Sequence, residues 1–158
     1  MPQSLKLVTV WLLIATALFL AVQAMQHRAE RSRFSFDAAS GRIELMPPPH
    51  VQFHCPGPVN GVAVDFLVDT GATSTALPLA LAQEAGLLLE GSMRSSTAGG
   101  VVDGRTARAD VALQGGVVAE RLRVAVLPRL DSPLLGMDVI SKLRLSQRDG
   151  VLTLEAPR

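Results

Sequence analysis

Short strand-like runs separated by turn residues fill the chain from residue 51 onward. The clearest runs are residues 62–68 and 117–127, which are apolar or alternate between apolar and polar side chains. Asn60-Gly61, Gly115-Gly116 and Asp149-Gly150 are the clearest turn signals between runs. Many short strands at close spacing indicate an all-β barrel or sandwich.

Two short helices are expected beside this sheet. Pro78 suits the first turn of one helix and Gly86 suits its end, while residues 137–142 form the second candidate. Aromatic residues make up only 4% of the chain and Tyr is absent. The core must therefore consist mainly of Val, Leu, Ala and Ile, and a chain of 158 residues fits one domain plus a small extra segment.

Charge and cysteine content limit which ligands and partners the chain is expected to bind. From residue 51 onward, 10 Lys and Arg stand against 11 Asp and Glu, so no basic surface for nucleic acid is expected. The lone Cys55 cannot form an intrachain disulfide and lacks the partners of a structural zinc site. We expect it to be a small buried residue; an intersubunit disulfide or a reactive thiol is the alternative.

An uncharged apolar run from Leu7 to Ala24 begins the chain. It predicts an uncleaved signal anchor that spans a membrane, or a cleaved signal peptide with Val22 and Ala24 at the small-residue positions before the cut. The flanking charges leave its orientation open. The predicted organisation is a transmembrane segment over residues 1–24, a linker over 25–49 and a folded domain over 50–158.

The predicted linker is polar and ends in three prolines, which favour an extended spacer. Within it, residues 43–46 are a candidate short strand at the edge of the domain.

Asp69 is the main candidate for a catalytic residue in the sequence. It ends the apolar run 62–68 and is followed by Thr70 and Gly71. A buried acid is costly unless it is hydrogen-bonded or functional. Gly71 lets backbone approach the carboxylate, and the Thr70 hydroxyl can donate and accept hydrogen bonds. Asp-Thr-Gly alone is a weak signal, and a loop Asp that caps a turn is the structural alternative.

A second signal is the apolar pair Leu134-Leu135 followed by Gly136, which can pack behind the Asp69 loop. Taken alone, it would be read as a strand that ends at a glycine turn. With Asp-Thr-Gly and the Thr-Ala-Gly-Gly of residues 97–100, it resembles the motifs of the retroviral-type (retropepsin-like) aspartic proteases, and more narrowly of their bacterial single-pass members. The resemblance runs from about His50 to Glu155.

The resemblance implies an all-β, closed-barrel lobe with one or two short helices, and neither a cofactor nor a metal. It implies that Asp69 is the catalytic aspartate and that the Thr70 hydroxyl braces two active-site loops across a dimer axis. The remaining site residues it implies are the loop supports Thr70, Gly71 and Ala72, the substrate-binding flap Thr97, Ala98, Gly99 and Gly100, and the packing residues Leu134, Leu135 and Gly136.

Two features depart from the family pattern. The segment from Cys55 to Pro58 is expected to make the first hairpin irregular, and Asp103-Gly104 offers a turn that competes for the flap tip. Asp65 is interpreted as a solvent-facing strand residue and Asp138 as a residue at a helix start.

One Asp-Thr-Gly supplies half of an aspartic protease site, because that chemistry needs two carboxylates that share a proton. The sequence therefore predicts a homodimer in which Asp69 is contributed twice, acting on protein or peptide substrates. The implied location is the bacterial inner membrane with the domain in the periplasm, or the soluble periplasm after signal cleavage. The alternative functions are an inactive module of the same fold for dimerisation or peptide binding, and an unrelated small ligand-binding barrel.

Overall fold

The computed structural model describes residues 3–29, 33–36, 42–46, 52–97 and 100–157. It divides into two compact units, Met1–Arg31 and Ser32–Arg158. The first unit contains helix α1 (Gln3–Ala29), which includes the apolar run Leu7–Ala24. The side chains described in α1, residues 10–23, are all exposed. Over the described residues, no helix is both long enough and apolar enough to cross a membrane.

The second unit is built mainly of strands. The described elements, in chain order, are β1 (Arg33–Phe36), β2 (Arg42–Leu45), β3 (His54–Val59), β4 (Val62–Val68), β5 (Ala76–Pro78), α2 (Leu79–Glu84), β6 (Ser92–Thr97), β7 (Gly100–Leu113), β8 (Val117–Leu127), β9 (Leu134–Leu135), α3 (Met137–Ile140), β10 (Arg144–Arg148) and β11 (Val151–Glu155).

The larger sheet closes into a barrel. Its strand order is β1-β8-β5-β9-β4-β3-β7-β6, and an additional pairing joins β7 to β8. Strands β1 and β6 extend this barrel at its ends, while β10, β11 and β2 form a separate antiparallel sheet. The predicted all-β closed-barrel lobe with short helices is confirmed. Its core is mainly aliphatic over the described residues, with Phe66, Leu77 and Leu135 among its largest fully buried side chains.

The first hairpin is regular, contrary to the prediction made from its prolines. Strands β3 and β4 keep continuous register over six residue pairs, from His54 opposite Leu67 to Val59 opposite Val62. The two-residue loop has positive φ at Asn60 (47°) and Gly61 (86°), which makes Val59 and Val62 a hydrogen-bonded pair. The two prolines of β3 occupy alternate, non-hydrogen-bonded positions, so they remove no bond from this ladder.

Two strands lie within the segment expected to be a linker. Strand β1 pairs with β8. Strand β2 pairs with β11, and its buried residues Ile43 and Leu45 belong to the core. The short edge strand proposed for residues 43–46 is therefore present, whereas no sequence signal indicated β1.

Candidate active site

The Asp69 loop, residues 69–75 between β4 and β5, holds the Asp69 carboxylate in a fixed position. Asp69 follows β4, and its backbone N–H donates to the Leu135 carbonyl at 3.0 Å. Gly71 N–H donates to Asp69 Oδ1 at 2.9 Å, and Ala72 N–H donates to the Asp69 carbonyl at 3.2 Å. Asp69 is half-buried, whereas Thr70 and Gly71 are exposed. Within one chain, the carboxylate is thus anchored by backbone groups yet remains accessible, instead of being enclosed as the apolar strand had indicated.

Glycines allow the backbone segments of this site to approach each other. A Cβ on Gly71 would lie 3.2 Å from Asp69 Oδ1. A Cβ on Gly136 would lie 2.4 Å from the Ser74 carbonyl carbon and 2.7 Å from the Thr75 nitrogen. Because both of the latter neighbours are backbone atoms, Gly136 cannot be replaced without displacing the loop.

The apolar pair before Gly136 lies directly behind the loop. Strand β9 runs parallel to β4, with Leu134 opposite Leu67 and Leu135 opposite Val68. Leu135 is fully buried. One residue after Gly136, Met137 N–H donates to the Ala72 carbonyl at 2.8 Å. The structure therefore brings together the two motifs that the sequence placed at the site.

Sequence reasoning missed a second set of contacts that fixes the loop. Asp138 lies in the first turn of α3, as expected, but its two oxygens also accept the Thr75 N–H at 3.0 and 2.9 Å. The Thr75 hydroxyl donates to Asp138 Oδ1 at 2.8 Å and accepts the Gly136 N–H at 3.2 Å. Thr75 is fully buried. The sequence showed only that a residue with a hydroxyl group follows shortly after Asp-Thr-Gly, which did not indicate these contacts.

Strands β6 and β7 form the hairpin to which the predicted flap belongs. Thr97 lies opposite Gly100, and the Thr97 hydroxyl donates to the Gly100 carbonyl at 2.8 Å. Ala98 and Gly99 lie outside the described residues. Asp103-Gly104 forms no turn, because Asp103 lies opposite Arg94 within the ladder and accepts a hydrogen bond from it at 3.2 Å.

A cavity of about 250 Å³ opens beside the Asp69 loop. One side of the cavity is formed by Ser74, near the end of that loop, and another by Met93 on β6. Its other lining residues belong to β7 and β8 and are Thr106, Arg123, Val124 and Ala125. The cavity therefore lies between the carboxylate loop and the base of the flap hairpin.

A larger cavity of about 350 Å³ contains no residue of the Asp69 loop. The polar groups around it make contacts within the chain. Glu90 lies 3.4 Å from Arg108, and an Asp110 oxygen accepts the backbone N–H of Arg121 at 2.7 Å.

Two other acids near the motifs, Asp65 and Asp138, make contacts of their own. Asp65 is exposed on β4, as predicted, and lies 3.1 Å from His54 Nδ1. Asp138 is occupied by Thr75. Cys55 is buried as expected, and burial raises the pKa of its thiol to about 12. In the described part of the chain, Asp69 is thus the acid that the two motifs hold in an accessible position.

Comparisons with known proteins agree with this geometry. The family profile described as "gag-polyprotein putative aspartyl protease" matches residues 55–142, more than half of the chain. A retropepsin-like aspartic protease from Rickettsia conorii is 24% identical with a TM-score of 0.57, over 80% of this chain and 94% of that one. The EIAV protease complexed with the inhibitor HBY-793 is 18% identical with a TM-score of 0.50, over 61% of this chain and 92% of that one.

No curated protein sequence matches the chain. The two solved structures show a common fold, and the matched segment contains both Asp69 and the Leu-Leu-Gly motif. The chain therefore belongs to the gag-polyprotein aspartyl protease family and has the retropepsin-like fold.

Proposed function

We propose that this protein is an aspartic endopeptidase that hydrolyses peptide bonds with two Asp69 carboxylates, one from each subunit of a homodimer. The observation that carries the proposal is the accessible Asp69 carboxylate, held by the Gly71 N–H at 2.9 Å in a loop braced from behind by β9 and α3. One barrel lobe offers one such carboxylate, so a second copy supplies the other.

The chemistry follows from the proximity of two equal acids. Two carboxyl groups about 3 Å apart cannot both ionise, so they titrate as a pair with two separate pKa values. At a pH between these two values, the pair shares one proton. The ionised group removes a proton from a water molecule, which then attacks the scissile carbonyl. The protonated group donates a hydrogen bond to the carbonyl oxygen as negative charge develops on it. The reaction passes through no covalent enzyme intermediate.

Thr70 fits this arrangement because it is exposed at the tip of the loop. Across a two-fold axis, two such hydroxyls would bond to the opposite loops and hold the two carboxylates at a fixed separation. This role depends on the dimer, since in the described part of a single chain the Thr70 hydroxyl makes no hydrogen bond.

The test is cleavage of a mixed peptide library by the full-length protein from acidic to neutral pH, beside Asp69→Asn and the exposed-acid control Asp65→Asn. We expect wild type and Asp65→Asn to cleave the same peptides and Asp69→Asn to cleave none while keeping its fold and dimer. Cleavage by Asp69→Asn would refute the assignment. A folded dimer that cleaves nothing would favour the inactive peptide-binding module.

We further propose that the amino-terminal segment tethers the enzyme to the inner membrane of a bacterium, with the protease domain in the periplasm. Support comes from the uncharged run Leu7–Ala24 and from exposed apolar side chains on α1 such as Trp11 and Phe19, since exposed apolar surface of this kind marks membrane or protein contact. Extraction of cell membranes with alkaline carbonate tests the tether. Release of a chain that begins after Ala24 would instead identify a cleaved signal peptide and a soluble periplasmic enzyme.

A further inference from the structure

The cavity beside the Asp69 loop has an unusual charge on one wall. Arg123 and Ala125 lie two residues apart on β8 and therefore share one face of that strand. Directly across the ladder, Thr106 is opposite Ala125 and Arg108 is opposite Arg123. The face that forms the wall of the cavity thus ends in two arginines side by side.

Like charges directly opposite each other destabilise an antiparallel pair. Only one of the two arginines is neutralised within the described residues. Glu90 lies 3.4 Å from Arg108, whereas no described carboxylate lies within ion-pair distance of Arg123. An arginine that lines a cavity beside a second arginine, with no acidic partner among the described residues, is an attractive site for an anionic group from outside the chain.

The rest of the cavity suits the side chain of an acidic residue. Ser74 is exposed, and its hydroxyl can donate a hydrogen bond to a carboxylate. The half-buried Met93 supplies apolar surface for a methylene stem. A guanidinium can hold a carboxylate through two parallel N–H bonds.

We infer that this cavity is a substrate subsite that selects an acidic side chain through Arg123. The inference rests on the proposed protease function, because it places a peptide between the Asp69 loop and the flap hairpin. Ser74 lies near the end of the Asp69 loop, next to β5. We therefore place the selected side chain on one side of the scissile bond. A two-fold dimer presents the same subsite on both flanks.

The test uses full-length protein and peptide sets that differ only in Glu, Gln or Lys at each position around the cleaved bond. For wild type we expect kcat/KM to favour Glu over Gln by about tenfold at the corresponding position on each side of the cleaved bond, as for a charge-assisted hydrogen bond. Arg123→Gln should remove the preference by lowering kcat/KM for the Glu peptide to that for the Gln peptide, while Arg123→Glu should favour Lys. Lys142→Gln, which removes the same charge from an exposed position after α3, should keep the wild-type preference.

Wild type without an acidic preference at any position, or a preference that survives in Arg123→Gln, overturns the inference while leaving the protease assignment intact. Binding separates the two claims. Fluorescence anisotropy of the Glu and Gln peptides is measured on Asp69→Asn with and without Arg123→Gln. Selective binding of Glu that needs Arg123 supports the subsite even where wild type cleaves nothing, and equal binding of both peptides overturns it.

Discussion

The Asp138 carboxylate accepts both the backbone N–H and the side-chain hydroxyl of Thr75, at distances of 2.8 to 3.0 Å. The two residues lie 63 positions apart in the sequence. Thr75 ends the loop that begins at Asp69, and Asp138 lies two residues after Gly136 of the Leu-Leu-Gly motif. The pair therefore ties the exit of the carboxylate loop to the segment that packs behind it, which makes Asp138 a positioning residue for Asp69.

Replacing Asp138 by Ala should destabilise the fold and slow the enzyme. The change leaves two buried donors of Thr75 without acceptors, which costs about 1–3 kcal/mol. Displacement of the loop should lower kcat by about 10- to 100-fold with a smaller effect on KM. Urea unfolding and peptide kinetics measure the two effects.

The control for Asp138→Ala removes an acid elsewhere. Asp149→Asn acts in the exposed β10–β11 turn, where the φ of 52° is one that Asn adopts readily. It should change neither stability nor kcat appreciably. Combining Asp138→Ala with Thr75→Val should cost less than the sum of the single changes. Additive effects would show that the pair does not act as a unit.

Gly136→Ala tests the close contact behind the Asp69 loop. The new Cβ would lie 2.4 Å from the Ser74 carbonyl carbon, so backbone must move, at a cost of about 1–3 kcal/mol. Gly91→Ala is the matched control, since its Cβ would meet only the Thr106 hydroxyl at an ordinary 3.5 Å. Thermal unfolding of both variants measures the difference. Equal stability of the two variants would show that the backbone near Gly136 moves without a measurable cost in stability.

Local signals predicted the parts of the site that depend on local geometry. Asn60-Gly61 specified the first hairpin because its positive φ angles are those a two-residue turn requires. Asp69 was identified because a loop glycine and hydroxyl follow an apolar strand. The prolines of β3 were misread because only the register shows that they occupy non-hydrogen-bonded positions.

Long-range pairing explains what the sequence could not show. Strand β9 has two residues and β5 has three, too few for any periodicity to appear. Their partners are distant, since β5 pairs with β8 and β9 pairs with β4. The Thr75–Asp138 contact depends on both pairings, and so no local pattern could reveal it.

Alkaline pH should destabilise the fold through Cys55. Burial, and then the Asp65 carboxylate, raise the pKa of this thiol from 9.0 to about 12. Between these values the folded chain keeps a proton that the unfolded chain releases. Stability is therefore fully present below pH 9 and falls as pH rises toward 12, by up to about 1.4 kcal/mol per pH unit.

Urea unfolding from neutral to strongly alkaline pH measures this effect of Cys55. Cys55→Ala should be less stable at neutral pH, because it loses packing, but should show a shallower decline above pH 9. An unchanged slope in the variant would show that the decline comes from other groups.

Mixing active and inactive subunits should reveal whether one site is shared by two chains. Wild type and Asp69→Asn are unfolded together in different proportions and refolded, so that subunits pair at random. Because every mixed pair holds one intact carboxylate, only wild-type pairs should cleave, and an equal mixture should retain about a quarter of the activity of the same total protein as wild type. Asp65→Asn, mixed in the same way, should leave activity unchanged, since Asp65 lies exposed on β4 away from the loop contacts. Activity that falls in proportion to the wild-type fraction, to about half in the equal mixture, would instead place a complete site within each chain.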